Sequence, residues 1–254
     1  MKKILLFLCL LLLLTSCHNK SDLDIEIING PKEEKEVYVD DKKQREEEYK
    51  LLNEQWDADY YVNQDFIGYI KVGNLIDLPF VQGKTNDTYL RRDWYTMNYD
   101  EEGSIFLDYR NYLDDQNVII YGHYVYSSYE PSGTHKFTPL KGLLEQANYE
   151  DNKYITLQLK DEIRTYEIAI VFYIDTYEID GYRYPYDGYE YYLTEYEDDY
   201  FDYYISNAYN AAFYDTNVEV TKEDKLLTLQ TCVENHDNLR EIVLAKLIET
   251  EKTR

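Results

Sequence analysis

The stretch that most clearly indicates the fold is YITLQLKDEIRTYEIAIVFYI, residues 154–174. Apolar and polar side chains alternate from 155 to 159, which is the two-residue period of a β-strand with one buried face. The charged run 160–162 predicts a turn. Every second residue from Tyr166 to Ile174 is then apolar or aromatic, so these five side chains are predicted to line one face of a longer strand. The whole stretch is therefore predicted to form a β-hairpin.

Short apolar segments on both sides of this hairpin predict further strands. They lie at 66–72, 76–81, 104–107, 118–121, 226–231 and 242–248. Two segments have helical periodicity instead. One is 40–56, where Tyr49, Leu52 and Trp56 form a narrow stripe, and the other is 196–213. Seven or eight short strands without a βαβ rhythm predict a mainly β fold: a closed or nearly closed barrel of about 190 residues, with a helix at its start and one inserted late.

The N-terminus has the features of an export signal. Lys2 and Lys3 precede the apolar run 4–14, which is shorter than the about 20 residues that a membrane-spanning helix needs. The run ends in Leu-Thr-Ser-Cys at 14–17, which is similar to the lipobox of bacterial lipoproteins, so Cys17 is predicted to be lipidated; an uncleaved signal anchor is the alternative. We expect a signal peptide at 1–17, an acidic tether at 18–39, and one folded domain at 40–254, with its helix at about 40–60 and its barrel at about 65–250.

The charge balance excludes one class of partner. The chain has 50 acidic and 26 basic residues, a net charge of −24, which leaves no basic face for nucleic acid. The acidic run within 195–202 lacks the spacing of a calcium loop, and no pair of histidines has metal-ligand spacing, so neither a metal nor a cofactor is predicted. Glu234, Asp237 and Glu241 are interpreted as carboxylates of a solvated loop.

The chemistry is predicted to centre on Cys232, which ends the apolar run 226–232. The other cysteines, Cys9 and Cys17, lie in the export signal. An unpaired thiol in an oxidising compartment is usually kept because its thiolate reacts. His123 directly follows the strand at 118–121, and Arg240 is predicted to open the last strand. These residues could supply a proton and a stabilising positive charge, but spacing alone leaves open that they are ordinary core and surface residues.

Five sequence blocks, in order over about residues 50–250, resemble a class B sortase. They are Tyr-Gly-His at 121–123, Thr-Leu-Gln-Thr-Cys at 228–232, Arg240 before an apolar strand, Gly-Ser-Ile-Phe-Leu-Asp-Tyr-Arg-Asn at 103–111, and the block from Val81 to Leu90. The resemblance implies an eight-stranded sortase-type barrel. It also implies a cysteine transpeptidase that cleaves a C-terminal sorting signal of secreted proteins, such as Leu-Pro-x-Thr-Gly or Asn-Pro-x-Thr-x, at Thr. The acyl group would pass to an amine of a cell-wall precursor or a pilin.

The resemblance also implies roles for individual residues. Cys232 would be the nucleophile, His123 the general acid and Arg240 the oxyanion stabiliser. Gln230, Thr231 and Tyr124 are predicted to bind substrate, although Gln230 and Tyr124 depart from the residues that are frequent in the family. The N-terminal lipid or signal anchor would hold the enzyme on the extracytoplasmic face of the membrane.

Some alternatives stay open. His236 and His135 are alternatives to His123 for the acid role. Of these two, His236 is the stronger alternative because it is close to Cys232 in sequence. The chain could also be a surface-tethered cysteine peptidase, in which water replaces the amine, or a binding lipoprotein without enzymatic activity.

Overall fold

The computed structural model describes residues 41–125, 136–176 and 193–254. All of them belong to one compact unit that begins at Asp40. The predicted signal peptide, lipidation site and tether lie outside the described residues, as do His135 and residues 177–192. Within the described part of the chain, no helix is both long enough and apolar enough to cross a membrane.

Eight strands of the described residues form a closed barrel, which confirms the predicted fold class. They are β1 (Phe66–Val72), β2 (Ile76–Val81), β3 (Ile105–Leu107), β4 (Asn117–Tyr121), β5 (Tyr154–Gln158), β6 (Glu162–Asp175), β7 (Leu226–Val233) and β8 (His236–Lys252). Around the barrel their order is β1-β2-β3-β4-β7-β8-β6-β5, and β5 pairs with β1 to close it. The pairs β2–β3 and β4–β7 are parallel, and the others are antiparallel.

The two predicted helices, one before the barrel and one late in the chain, are present, and a short helix that the sequence did not predict lies between them. α1 spans Asp41–Val62, α2 is the short Tyr149–Asn152, and α3 spans Asp198–Ala211; two 3₁₀ turns cover Thr138–Leu144 and Gln146–Asn148. α1 is mostly solvent-exposed and packs through a narrow stripe that includes Trp56. Trp56 is only 5% exposed, and its Nε1–H donates to the Ile67 carbonyl oxygen at 2.9 Å, so it fixes the helix to β1.

The predicted hairpin is present, but the prediction that one face of β6 carries all five apolar side chains is wrong. β5 and β6 pair with Ile155 opposite Tyr166. Further along β6, a bulge between Ile168 and Ile170 adds one residue relative to β8. Because side chains alternate between faces, one extra residue moves all later side chains to the opposite face.

The two faces of β6 consequently belong to two apolar layers. Tyr166, Ile168 and Val171 pack in the barrel interior together with Leu229 and Val243. The side chains that the bulge moves outward pack under α3; they include Ile170, Phe172 and Ile174 of β6 and Phe201, Tyr204 and Ile205 of α3. β6, β7 and β8 therefore each carry buried apolar side chains on both faces.

Candidate active site

The ends of β4 and β7 bring His123 and Cys232 to the same edge of the barrel. The two strands run parallel, with Tyr121 opposite Gln230. His123 and Cys232 each lie two residues beyond this pair. The Gly122 N–H donates to the Gln230 carbonyl oxygen at 3.2 Å and continues the pairing past the end of β4. Parallel pairing therefore aligns the two side chains although they are more than a hundred residues apart in sequence.

Arg240 reaches the same edge by pairing with Cys232 directly. It does not open the last strand, as the sequence suggests, because β8 begins at His236. A two-residue turn at Glu234 and Asn235 joins β7 to β8, with Asn235 at φ +62°. A register shift then places Cys232 opposite Arg240. Of residues 236–239, predicted to be a polar loop, His236 pairs with Val233 of β7 and Leu239 pairs with Asp175 of β6.

A single cleft of about 220 Å³ contains all three predicted catalytic residues. Its lining residues are Leu90, Phe106, Tyr121, Gly122, His123, Gln230, Thr231, Cys232 and Arg240. Cys232 is exposed and unpaired, so its sulfur is accessible from solvent. No hydrogen bond joins the thiol to His123 or to another described residue. A substrate could therefore enter between the thiol and the imidazole.

His123 is oriented by a backbone carbonyl. Its Nε2 lies 2.7 Å from the Leu90 carbonyl oxygen, and because a carbonyl can only accept, Nε2 carries the hydrogen. In the neutral ring, Nδ1 is then the nitrogen that can take up a proton. Burial lowers the pKa of His123, and the nearby charges of Arg91 and Lys136 lower it further, whereas the Leu90 carbonyl acts in the opposite direction.

Arg240 is a cation that forms no ion pair with a carboxylate of the described residues. Its Nη1 donates to the backbone carbonyl oxygens of Asp237, at 2.8 Å, and Leu239, at 2.7 Å. Within the described residues it forms no ion pair, although the chain carries a net charge of −24. The carbonyls hold the guanidinium in place without neutralising it, and its Nε and Nη2 hydrogens remain available to a substrate oxygen.

Gln230 and Thr231 each carry a buried oxygen that lacks a hydrogen-bond partner among the described residues, Oε1 of Gln230 and Oγ1 of Thr231. Gln230 lies on the same strand face as Cys232, since the two are two residues apart on β7, and it is only 9% exposed. Its side-chain oxygen is therefore an unused acceptor in the wall of the cleft. Thr231 is on the opposite face of β7 and is 2% exposed.

Tyr124 does not line the cleft that contains Cys232. It borders a neighbouring cavity that also contains His123, and its hydroxyl donates to Glu234 Oε2 at 2.8 Å. Burial and this hydrogen bond raise the pKa of Tyr124, so the phenol stays neutral. The contact ties the segment after β4 to the β7–β8 turn, which links the two backbone segments that carry His123 and Cys232.

A buried aspartate supports the cleft, and sequence analysis did not assign it a role. Asp108 is fully buried and accepts hydrogen bonds from Arg110, Asn86 and Tyr121, the last at 2.9 Å from the Tyr121 hydroxyl. Burial alone would raise the pKa of Asp108, but these donors lower it and keep the carboxylate charged. Asp108 thus connects the blocks at 81–90 and 103–111 to Tyr121 in the cleft wall. In the sequence, the available sign of this role was the residue pattern of the blocks at 81–90 and 103–111.

The other histidine of the described region lies outside the cleft lining. His236 is exposed at the start of β8, opposite Val233. Gly122, next to His123, packs closely against a buried side chain. A Cβ atom at Gly122 would lie 2.5 Å from the ring of Phe137, so a larger residue would displace the backbone that carries His123.

The chain is similar to known sortases in sequence and in structure. No family model matches it. It is 28% identical to Sortase B of Staphylococcus aureus over 234 residues, which cover 84% of this chain and 88% of that protein. The X-ray structure of Clostridium perfringens Sortase B matches with a TM-score of 0.64 and 28% identity, over 76% of this chain and 99% of that one. A Staphylococcus aureus sortase B–substrate complex matches with a TM-score of 0.63 and 25% identity, over 83% of this chain and 98% of that one.

Proposed function

Because the chain belongs to the class B sortase family of cysteine transpeptidases, we propose that it cleaves a C-terminal sorting signal of secreted proteins at Thr and transfers the acyl group to an amine. The observation that carries the proposal is the convergence of Cys232, His123 and Arg240 in one cleft at the ends of β4, β7 and β8. The solved sortase B–substrate complex supports sorting-signal peptides as the general substrate class. A sorting signal of the Leu-Pro-x-Thr-Gly or Asn-Pro-x-Thr-x type is the proposed substrate.

The reaction would proceed in two acyl-transfer steps. The Cys232 thiolate attacks the Thr carbonyl carbon, and a C–S bond forms while the carbonyl oxygen takes the negative charge. The C–N bond to the following residue then breaks, and the leaving amine takes a proton from His123 Nδ1. The acceptor amine attacks the resulting thioester, gives up a proton to His123, and releases the Cys232 thiolate. The acceptor is proposed to be an amine of a cell-wall precursor or a pilin.

Arg240 would stabilise the oxyanion of both tetrahedral intermediates. Arginine is always protonated and offers several N–H donors in a fixed plane. Here the guanidinium is held by backbone carbonyls next to Cys232, and no carboxylate in the part of the chain that the structure describes neutralises it. Its positive charge is therefore in place before negative charge develops on the substrate, which is the arrangement that electrostatic catalysis requires.

Gln230 is proposed to bind the peptide beside the scissile bond. Its buried, unpaired Oε1 can accept an N–H of the substrate, and a buried acceptor without a partner is costly until such a donor arrives. Thr231 is proposed to shape the cleft through its backbone, since its hydroxyl is on the opposite face of the strand. Tyr124 would act on substrate only indirectly, by holding the β7–β8 turn through Glu234.

Amine transfer is what separates this function from that of a cysteine peptidase. We expect the protein to cleave a Leu-Pro-x-Thr-Gly or Asn-Pro-x-Thr-x peptide slowly in buffer. An added amine, such as triglycine, should divert the acyl product from the free acid to the amide, which mass spectrometry measures. Cleavage with no amide at high amine concentration would indicate a peptidase. No cleavage of either peptide, together with no covalent adduct on Cys232, would favour a binding lipoprotein.

The N-terminal segment is proposed to place the enzyme on the extracytoplasmic face of the plasma membrane. The support is the short apolar run before Cys17 and the similarity of residues 14–17 to a lipobox. We expect a fatty-acid probe to label the protein in cells and to fail to label a Cys17→Ser variant. Unlabelled protein that retains residues 1–16 would instead indicate a signal anchor.

A further inference from the structure

Glu241 follows Arg240 on β8 but faces the opposite side of the sheet. Arg240 lines the cleft with Cys232. Side chains alternate along a strand, so Glu241 faces the barrel interior with Val243 and Ala245, which are part of the main apolar core. Its neighbours in the ladder are Thr231 on β7 and Tyr173 on β6. Glu241 is therefore not the solvated loop carboxylate that the sequence suggests.

This carboxyl group is buried, and no described residue compensates for its loss of solvent. Glu241 is 1% exposed, and its Oε1, like Oγ1 of the facing Thr231, has no hydrogen-bond partner in the part of the chain that the structure describes. No described cation forms an ion pair with it. Burial raises the pKa of Glu241 to about 8, compared with about 4.3 for an exposed glutamate. At neutral pH the group therefore holds a proton and is uncharged.

Within the described residues, the titratable groups around Glu241 are mainly tyrosines. From β6 the facing residue is Tyr173, and from β7 it is Thr231, which is not titratable. Burial is the main reason that the pKa values of Tyr124 and Tyr214 are raised; Glu234 raises the first further and Tyr149 the second, and the charge of Glu241 makes a smaller contribution to both. Charged groups that contact Tyr124 are Glu234, which accepts a hydrogen bond from its hydroxyl, and Lys141, whose Nζ lies 5.9 Å from its ring centre.

We propose that Glu241 is a positioning residue: its protonated carboxyl keeps the barrel interior behind Cys232 and Arg240 uncharged, and its ionisation reduces acyl transfer. The proposal rests on the proposed function of this cleft. A carboxylate at Glu241 would lie behind the backbone of Thr231, the residue before Cys232. It would also belong to the residue that directly follows Arg240. Its negative charge would disfavour both the thiolate and the oxyanion, and it would compete with the substrate oxygen for the Arg240 charge.

The pH range of this effect follows from the direction of the shift. A group that titrates at about pH 8 is roughly nine-tenths protonated at pH 7 and roughly one-tenth protonated at pH 9. If only the protonated form supports catalysis, wild-type kcat/KM should fall on the order of tenfold between these pH values through Glu241 alone. Glu241→Gln keeps the shape of the side chain and cannot ionise, so this part of the fall should disappear.

The test compares the pH profiles of wild type, Glu241→Gln and Glu249→Gln in the full-length protein. Glu249 is a matched control because it is an exposed glutamate on the same strand. We expect Glu241→Gln to retain, at pH 9, on the order of tenfold more of its own pH 7 activity than wild type does. Glu249→Gln should follow the wild-type profile. Coinciding profiles for wild type and Glu241→Gln would overturn the proposal.

Two further measurements do not depend on sortase activity. Iodoacetamide reacts with the Cys232 thiolate without a peptide, and at pH 9 it should react faster in Glu241→Gln than in wild type, with the difference lost at pH 6.5. If no sorting peptide is cleaved but this difference is seen, the proposed function fails and the role of Glu241 stands. In ¹³C-glutamate NMR of the wild-type protein, one carboxyl should titrate near pH 8. Titration of every glutamate below pH 6, or equal alkylation at pH 9, would contradict the inference.

Discussion

Cys232→Ala should abolish cleavage of every sorting-signal peptide and leave the fold unchanged. The thiolate is the proposed attacking atom, and alanine has no nucleophile to replace it. The side chain is exposed and makes no hydrogen bond to a described residue, so its loss removes little packing. Peptide cleavage, measured by chromatography with and without an amine acceptor, should fall to background. The circular dichroism spectrum and the melting temperature should match those of wild type.

The strength of this test is that the effects on chemistry and on folding are separable at this position. Thr231, the preceding residue, is 2% exposed, so a substitution there would perturb the barrel as well as the site. Cys232→Ala does not have this ambiguity. Turnover retained by a correctly folded Cys232→Ala protein would show that another residue attacks the substrate, and the proposed mechanism would then be wrong.

The barrel could be predicted from the sequence because its strands alternate and are bounded by turn residues. The bulge in β6 could not. On both sides of Ala169 the chain offers apolar side chains, and both faces of the wall are covered, one by the barrel interior and the other by α3. A strand with the bulge and a strand without it would therefore both bury apolar side chains on each face. Only the pairing with β8 decides which face each side chain takes.

The start of β8 could not be predicted from the sequence either. Residues 236–239 are mostly polar, which is typical of a loop, yet His236 pairs with Val233 and Leu239 pairs with Asp175. At the open end of a barrel a strand can extend beyond the core, so its side chains do not need to be apolar. The register shift after the pair of Val233 and His236 then places Arg240 opposite Cys232 and Glu241 opposite Thr231.

Within the site, the side chains at the strand ends were predictable, and the groups that orient them were not. Cys232, His123 and Arg240 stand next to apolar runs that are visible in the sequence. The Leu90 carbonyl that holds His123 is a backbone group, which every residue has, so no residue type identifies it. Asp108 binds Tyr121 through a contact that depends on how β3 and β4 pair.

Substitution of His123 provides the second large expected effect, and His236 is its natural control. His123→Ala should lower kcat/KM by a factor on the order of 10² or more, because the leaving amine then departs without a positioned proton donor. His236→Ala should stay within a few-fold of wild type, because His236 is exposed and lies outside the cleft lining. Both are measured by the rate of amide formation with a sorting peptide and an amine.

The orientation of the ring makes the prediction specific to proton transfer. Nε2–H is committed to the Leu90 carbonyl, so the mobile proton is on Nδ1, and burial lowers the pKa of His123 so that the protonated form is a minority at neutral pH. Alanine removes this proton donor but leaves the Leu90 carbonyl and the cleft. Added imidazole should therefore restore part of the lost activity of His123→Ala, and the restored rate should decline as rising pH removes the imidazolium form. A larger loss in His236→Ala than in His123→Ala, or a His123→Ala protein that imidazole does not affect, would show that His123 acts as a structural residue and not as the acid.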